Sequence, residues 1–217
     1  MRKETRKYYF SVEGETEKWY LDWLQKTINA TPESKYNVKL DAKIQKDPLA
    51  RVKGMTLLEQ TEITHIFDRE SEDSVHTKQF QETLDRMSDA EKLGKDVNYR
   101  LGYSNFTFEL WIILHKIDCS GAKTNRRQYL FDLNKAYNEK FEDLKEYKRE
   151  NDFKRVLNQL AIKDVISAVR RAKSIMKRNE ESGYTLQQYK GYSFYKENPS
   201  LSVWEIVDKI LKDCKLY

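Results

Sequence analysis

Acidic side chains follow two apolar segments of this sequence, and they are the residues best suited to chemistry. Glu13 comes directly after Tyr8–Val12, and Asp68 and Glu70 come directly after Ile63–Phe67. Residues two apart on an extended chain point to the same side, so Asp68 and Glu70 would present their carboxylates together. Three converging carboxylates repel one another unless a cation neutralises them, and Mg²⁺ or Mn²⁺ suits an all-oxygen site. Such ions drive phosphoryl transfer by polarising phosphate and acidifying water.

A purely structural interpretation of these acids stays open. Asp and Glu are common after strands, and acids in the first turn of a helix interact favourably with the helix dipole. The stretch "EGETE" places Glu13, Glu15 and Glu17 where a strand gives way to a helix. We interpret Glu15 and Glu17 as first-turn acids and Glu13 as the one candidate for chemistry, because it belongs to the strand end.

The elements that must position these acids alternate between strand and helix. Apolar patterning predicts strands at Lys7–Val12, Tyr36–Ile44, Ile63–Phe67 and Val97–Tyr103. It predicts helices at 16–28, 48–60 and 74–93, the second of them after the N-cap Asp47. Strands separated by helices predict crossover connections and a mostly parallel sheet. Ligands of such sheets bind at the carboxyl ends of the strands, where Glu13 and Asp68 would lie.

The second half of the chain is predicted to be helical. Periodicity indicates helices over 106–116, 126–147, 153–178 and 203–211, and the stretch "DCSGAKTN" interrupts the pattern. We therefore expect an α/β core over residues 1–115 and a helical, basic region over 116–217 that packs on it. The third of these helices is the most basic, and its Lys163, Arg170 and Lys177 recur every seven residues along one edge. Such a row could follow a phosphate backbone, although a solvated helix flank explains it as well.

Composition narrows the class of protein. The net charge of +5 divides into −2 for residues 1–115 and +7 for residues 116–217, which fits a metal-binding core with a polyanion-binding region. Cys119 and Cys214 lie far apart and indicate reduced thiols. No apolar segment resembles a signal peptide or a membrane span, so we expect a cytoplasmic protein without membrane contact. No P-loop, dinucleotide-binding glycine motif or zinc-ligand spacing occurs.

Four segments together resemble the RloB-like family, which includes the AbiLii abortive-infection proteins. These segments are "VEGETEKWYL", "FDRES", "SNFTFELWIILH" and "ENPSLSVWEIV", and the resemblance extends from Tyr9 to Val207. The resemblance implies a Toprim-like fold, with a Glu after the first strand and a pair of acids after a later one. It also implies a phage-defence or restriction-linked setting, often beside an AAA- or ABC-type ATPase partner. Related Toprim effectors are metal-dependent nucleases.

The resemblance also implies roles for individual residues. Glu13 takes the acid/base or metal-linked position, Asp68 the principal metal ligand, and Glu70 the second acid of the pair. Glu109 and His115 occupy further positions of the family pattern, as additional catalytic candidates. Two departures stand out: Glu70 replaces an Asp, and "SNFTFE" lacks the proline of an SNPxFE pattern.

These observations lead to one main expectation and two alternatives. We expect a nuclease that acts on DNA or RNA with Mg²⁺ or Mn²⁺. The first alternative is a non-catalytic regulatory or docking subunit for an ATPase, and the second is a sequence-independent nucleic-acid-binding protein. The choice between DNA and RNA, the trigger and the formation of a homo-oligomer stay open.

Overall fold

A computed structural model of the chain describes residues 3–57 and 59–217. Its strands are β1 (Thr5–Val12), β2 (Asn37–Ile44), β3 (Thr61–Arg69), β4 (Val97–Asn105), β5 (Gln187–Tyr189), β6 (Tyr192–Phe194) and β7 (Ser200–Leu201). Five of them form one sheet in the order β2-β1-β3-β4-β7, and β5 and β6 form a separate hairpin. Within the five-stranded sheet of the described residues, the β1–β2, β1–β3 and β3–β4 pairs are parallel and the β4–β7 pair is antiparallel. The predicted α/β class and mostly parallel sheet are confirmed.

Helices cross between the parallel strands as predicted. Those of the first half are α1 (Glu15–Ala30), α2 (Pro48–Lys53), α3 (Ser74–Glu91) and α4 (Glu109–Leu114). The N-cap of α2 is Asp47, whose side chain accepts the backbone N–H of Leu49, as the sequence predicts. The helix expected to run on past Gly54 ends there instead. All six residues of α4 are buried, which explains the continuous apolar run in its sequence.

Two of the long helices that the periodicity predicts in the second half are each divided into shorter ones. They are α5 (Tyr129–Tyr137), α6 (Leu144–Tyr147), α7 (Glu150–Leu157), α8 (Ile162–Glu181) and α9 (Val203–Asp213), with one 3₁₀ turn at Arg126–Gln128. The predicted helix over 126–147 is wrong, because Asn138 adopts a left-handed conformation (φ 53°) that ends α5. The predicted helix over 153–178 is also wrong as one element, because residues 158–161 separate α7 from α8.

Apolar side chains pack on both faces of the sheet. Alternation along β3 directs Ile66 into one cluster and Ile63 and Phe67 into the other. The first cluster joins α1, α4, α5 and α7–α9, and the second joins α2, α3 and the β6 strand. Residues 116–217 share the first cluster and add β7 to the sheet edge beside β4, whereas the domain boundary at residue 115 stays a prediction.

Among the helices in the described part of the chain, none is long and apolar enough to cross a membrane. Cys119 and Cys214 are both buried and free, in agreement with the expectation of reduced thiols.

Candidate active site

Glu13 and Asp68 meet at the carboxyl edge of the sheet. β1 and β3 are adjacent and parallel, with Val12 opposite Ile66, so their ends reach the same edge. The backbone N–H of Asp68 donates to Oε2 of Glu13 across 3.1 Å. The predicted proximity of these two acids is therefore confirmed. Asp68 does not follow the strand, however, because β3 continues to Arg69.

Glu17 is a third acid at this edge, and it is also the first-turn acid of α1 that the sequence predicts. It lies in the first turn of α1, but its side chain is only 4% exposed. The hydroxyl of Thr16 donates to Oε2 of Glu17 across 3.2 Å. Gly14 leaves room for this carboxylate, since a Cβ at residue 14 would lie 3.2 Å from the same oxygen. Glu15, between these residues, is exposed and stays a first-turn acid.

Glu109 supplies a fourth carboxylate from the start of α4. It is 0% exposed, and the Thr107 hydroxyl donates to its Oε2. Its Oε1 lies 3.0 Å from Nζ of Lys148, which follows α6. We call Glu13, Glu17, Asp68 and Glu109 the acid cluster.

The members of the acid cluster raise one another's pKa values. Burial, followed by the charges of Glu17, Glu13 and Glu109, raises the pKa of Asp68 well above its usual value. Burial also raises the pKa of Glu17 to about 7. The pKa of Glu13 is raised by burial too, although the hydrogen bond from Asp68 and the charge of Lys46 oppose the change. Full ionisation of the acid cluster is therefore unfavourable without added positive charge.

Lys148 is the built-in counter-ion of the acid cluster. Burial alone would lower the pKa of its ammonium group, but the charges of Glu109, Asp68 and Glu17 raise it. The same positive charge opposes the rise in the pKa values of Glu13, Glu17 and Asp68. Lys148 therefore remains protonated and interacts with every carboxylate of the acid cluster.

Glu70 lies beside the acid cluster but has other partners. Together with Glu13 and Asp68 it lines a cavity of about 50 Å³. Its Oε2 is 3.1 Å from the Arg126 guanidinium and 3.4 Å from Nε2 of His76, and its side chain is 41% exposed. Glu70 lies just beyond β3, which ends at Arg69, and its carboxylate contacts Arg126 while it lines the cavity with Asp68.

His115 lies in the apolar interior. Its Nε2 is 3.1 Å from the Tyr20 hydroxyl and its Nδ1 is 2.9 Å from the Trp111 carbonyl oxygen. Burial lowers its pKa to about 4, so the imidazole is neutral at physiological pH. Both ring nitrogens are occupied by these contacts, which give His115 a packing role and do not join it to the acid cluster.

The three basic residues predicted to bind nucleic acid lie on the exposed flank of α8. Lys163, Arg170 and Lys177 are all exposed, and Lys177 approaches Glu181 at 3.5 Å. The opposite face of α8 is buried through Val165 and Ala168 among others. The structure thus places the row along one edge, as its spacing predicts, and no contact links the row to the acid cluster among the described residues.

The acid cluster has the donor chemistry of a Mg²⁺ or Mn²⁺ site, since all its side-chain donors are oxygens. The hydroxyl of Tyr147, fully buried, has no hydrogen-bond partner within residues 3–57 and 59–217, and it lies close enough to Glu109 and Glu17 for their charges to raise its pKa. A buried hydroxyl of this kind is ordinarily satisfied by an ordered water molecule or a polar ligand. Within residues 3–57 and 59–217, no group of three or more Asp, Glu, His or Cys side chains has the geometry to hold a metal ion.

Sequence reasoning missed two members of this site for different reasons. Glu17 could have been found, because it precedes Tyr20, Leu21 and Leu24 at helical spacing and so shares the buried face of α1. Lys148 carries no comparable signal, because its contact with Glu109 joins residues 39 apart in sequence.

A family model described as RloB-like protein matches residues 8–210 of the chain. Searches among curated proteins and among solved structures give no match.

Proposed function

The chain belongs to the RloB-like protein family, and from that premise we propose that it is a metal-dependent nuclease. The proposed reaction is hydrolysis of phosphodiester bonds in DNA or RNA with Mg²⁺ or Mn²⁺. We further propose, from the family resemblance, that the nuclease is the effector of a phage-defence or restriction-linked system and acts with an AAA- or ABC-type ATPase partner.

The observation that carries this proposal is the burial of the acid cluster at the carboxyl edge of a parallel sheet. Its members come from β3, α1, α4 and the end of β1, so four separate elements bring acids to one place. Burial and mutual repulsion raise the pKa values of Asp68, Glu17 and Glu13. Strongly shifted pKa values in one cluster are typical of functional sites, because a purely structural core avoids the cost of buried like charges.

The carboxylates divide the work of the proposed reaction. Glu13 and Asp68 would hold the metal ion, with Glu70 beside them. When bound, the ion supplies polarisation of a phosphate oxygen and lowers the pKa of a water molecule. Glu17, with its pKa raised to about 7, can hold or release a proton near neutral pH and suits a general acid/base. Lys148 holds positive charge beside Glu109, where it would also attract a phosphate.

The experiment that tests the proposal compares matched acidic residues. Purified wild-type protein is incubated with linear DNA and with tRNA in Mn²⁺, beside the Glu13→Gln, Asp68→Asn and Glu15→Gln variants. We expect cleavage to fall at least about 100-fold in the first two variants, because each loses a charged ligand. Glu15→Gln should retain wild-type cleavage, since Glu15 is exposed outside the acid cluster. Equal cleavage by wild type and Glu13→Gln would contradict the mechanism.

One observation favours the alternative of a non-catalytic docking subunit. Lys148 already neutralises part of the acid cluster, and the described residues present no set of three donors arranged for a metal. Thermal unfolding in a Mn²⁺ titration separates the two functions. A metal site predicts stabilisation of about 2.7 kcal/mol at a Mn²⁺ concentration one hundred times Kd, which Asp68→Asn abolishes. A docking subunit predicts no stabilisation by Mn²⁺ in either protein.

A further inference from the structure

A groove lies between two parts of the second half of the chain. One wall is formed by the 3₁₀ turn and the start of α5, and the other by the start of α6. The groove has a volume of about 510 Å³. Its walls carry cationic and aliphatic side chains, and we call this set the basic groove: Arg126, Arg127, Leu130, Leu144 and Lys145. The cationic ends can contact phosphate oxygens, and the aliphatic side chains can contact sugars or bases.

The acidic residues of the groove wall reduce its positive charge only in part. Glu142 and Asp143 also line it. Asp143 is engaged as the N-cap of α6, where its side chain accepts the backbone N–H of Glu146 across 2.8 Å. Arg127 and Lys145 are exposed, and neither makes an ion pair within the described residues. Two cationic side chains of the groove are therefore free to bind an anion from solution.

One wall of the basic groove adjoins the acid cluster. The Arg126 guanidinium is 3.1 Å from Oε2 of Glu70, which lines the same small cavity as Glu13 and Asp68. The other wall is the start of α6, the helix that Lys148 follows, and Lys148 contacts Glu109. Arg126 therefore connects the groove to the carboxylates that would act on the substrate.

We infer that the basic groove binds the phosphodiester backbone of the nucleic-acid strand that the acid cluster cleaves. The inference rests on the proposed nuclease function and names the surface that holds its substrate. It assigns this role to Arg127 and Lys145, with Arg126 at the entrance to the acid cluster, and not to the row on α8. DNA and RNA share the backbone chemistry, so separate arms of one experiment distinguish them.

The experiment measures binding without cleavage and uses two matched double variants. Fluorescence anisotropy follows fluorescein-labelled single-stranded DNA and RNA of equal length in EDTA at several salt concentrations. Arg127→Gln/Lys145→Gln removes two positive charges from the basic groove, and Lys163→Gln/Arg170→Gln removes two from α8. Both pairs are exposed and without ion pairs in the described part of the chain, so neither change should disturb folding.

We expect the groove variant to bind with roughly tenfold lower affinity and with a salt slope smaller by about one to two units. The α8 variant should lose less than about twofold. A larger loss in the α8 variant than in the groove variant would overturn the inference, as would equal competition by a poly-glutamate peptide of the same charge.

The cleavage assay separates failure of this inference from failure of the proposed function. If Asp68→Asn abolishes cleavage while the groove variant binds and cleaves like wild type, the nuclease proposal stands and the groove assignment is wrong. If the groove variant binds weakly but wild type cleaves neither DNA nor RNA, the surface is supported as a nucleic-acid site and the nuclease proposal is contradicted. Wild-type protein that binds neither DNA nor RNA would overturn the inference.

Discussion

The acid cluster and the exposed flank of α8 differ in the solvent exposure of their charged side chains. Glu17 and Glu109 are almost completely removed from solvent, whereas Lys163, Arg170 and Lys177 remain exposed. Burial of like charges is unfavourable, and it raises the pKa values of Asp68 and Glu17. An exposed lysine on a helix costs the fold almost nothing.

This difference determines how much each region says about function. A feature that destabilises the fold persists only when another requirement maintains it, and activity is the usual one. A row of exposed lysine and arginine side chains needs no such explanation. The acid cluster is therefore the stronger indication of function, although the two regions looked similar as patterns in the sequence.

Removal of Lys148 should have the largest effect on stability. In Lys148→Met, Glu109 would keep its buried charge without the ammonium group 3.0 Å away. Breaking a buried ion pair costs about 3–5 kcal/mol, and the 37% exposure of the Lys148 side chain reduces this to about 2–3 kcal/mol. Urea unfolding in EDTA at pH 7.5 measures the change.

Two further variants show whether that loss comes from the acid cluster. Lys148→Met/Glu109→Gln should recover most of the stability, because the unpaired charge is gone. Lys163→Met, on the flank of α8, should change the free energy of unfolding by no more than about 0.5 kcal/mol. Equal losses of stability in Lys148→Met and Lys163→Met would contradict the distinction between the two regions.

The next largest effect is a pH dependence of the free energy of unfolding that Glu17 causes. Burial raises the pKa of Glu17 from 4.5 to about 7, so the folded protein resists ionisation of this group. Its contribution to stability is complete below about pH 4.5 and is lost as the pH rises through about 7. In EDTA, Glu17→Gln should therefore be more stable than wild type by about 1–2 kcal/mol at pH 8.5, and by less at pH 6.5.

Thermal unfolding at both pH values measures this dependence, with Glu15→Gln as the control. Glu15 is exposed in the same first turn, so its variant should follow the wild-type pH dependence. A Glu17→Gln protein that is less stable than wild type at pH 8.5 would show that the carboxylate stabilises the fold.

The sequence predicts the fold where structure is local. Spacings of three and four along α1, the apolar run in β1 and the alternation along β2 lead to the observed elements, and their order leads to the parallel sheet. Prediction from the sequence fails where a single residue or a contact distant in sequence determines the structure. Asn138 ends α5 by its left-handed conformation, and the two-residue β7 exists only through its pairing with Ser104 and Asn105.

The candidate site was predictable to the same extent. Glu13 and Asp68 follow from the rule that parallel strands end at one edge. Glu17 is a helix-start acid as its residue type suggests, but its position on the buried face of α1 also makes it a member of the site. Glu70 follows from its spacing to Asp68 and His115 from the family resemblance, whereas their neighbours Arg126 and Tyr20 come from other elements of the fold.

A smaller effect is expected from Gly14→Ala. The backbone of Gly14 is extended (φ −149°, ψ −175°), so alanine causes no backbone strain. Its Cβ would lie 3.2 Å from Oε2 of Glu17, which must move by a few tenths of an ångström. We expect a loss of less than about 1 kcal/mol in stability and a severalfold weaker apparent Mn²⁺ affinity in thermal-shift titration. Gly121→Ala, with open space around it, should change neither.

The smallest effect should come from the flank of α8. Glutamine has nearly the same helix propensity as lysine and arginine, so a triple change of Lys163, Arg170 and Lys177 to Gln leaves the helix backbone preference intact. The variant loses one i,i+4 pair, Lys177–Glu181, which contributes about 0.3–0.5 kcal/mol. Urea unfolding should therefore shift by no more than about 0.5 kcal/mol. A loss above about 1 kcal/mol, together with a change in sedimentation velocity, would mean that this flank is covered by a second copy of the chain. In that case the charges of the α8 flank would be buried, as those of the acid cluster are. The difference in solvent exposure between the two regions would then no longer exist.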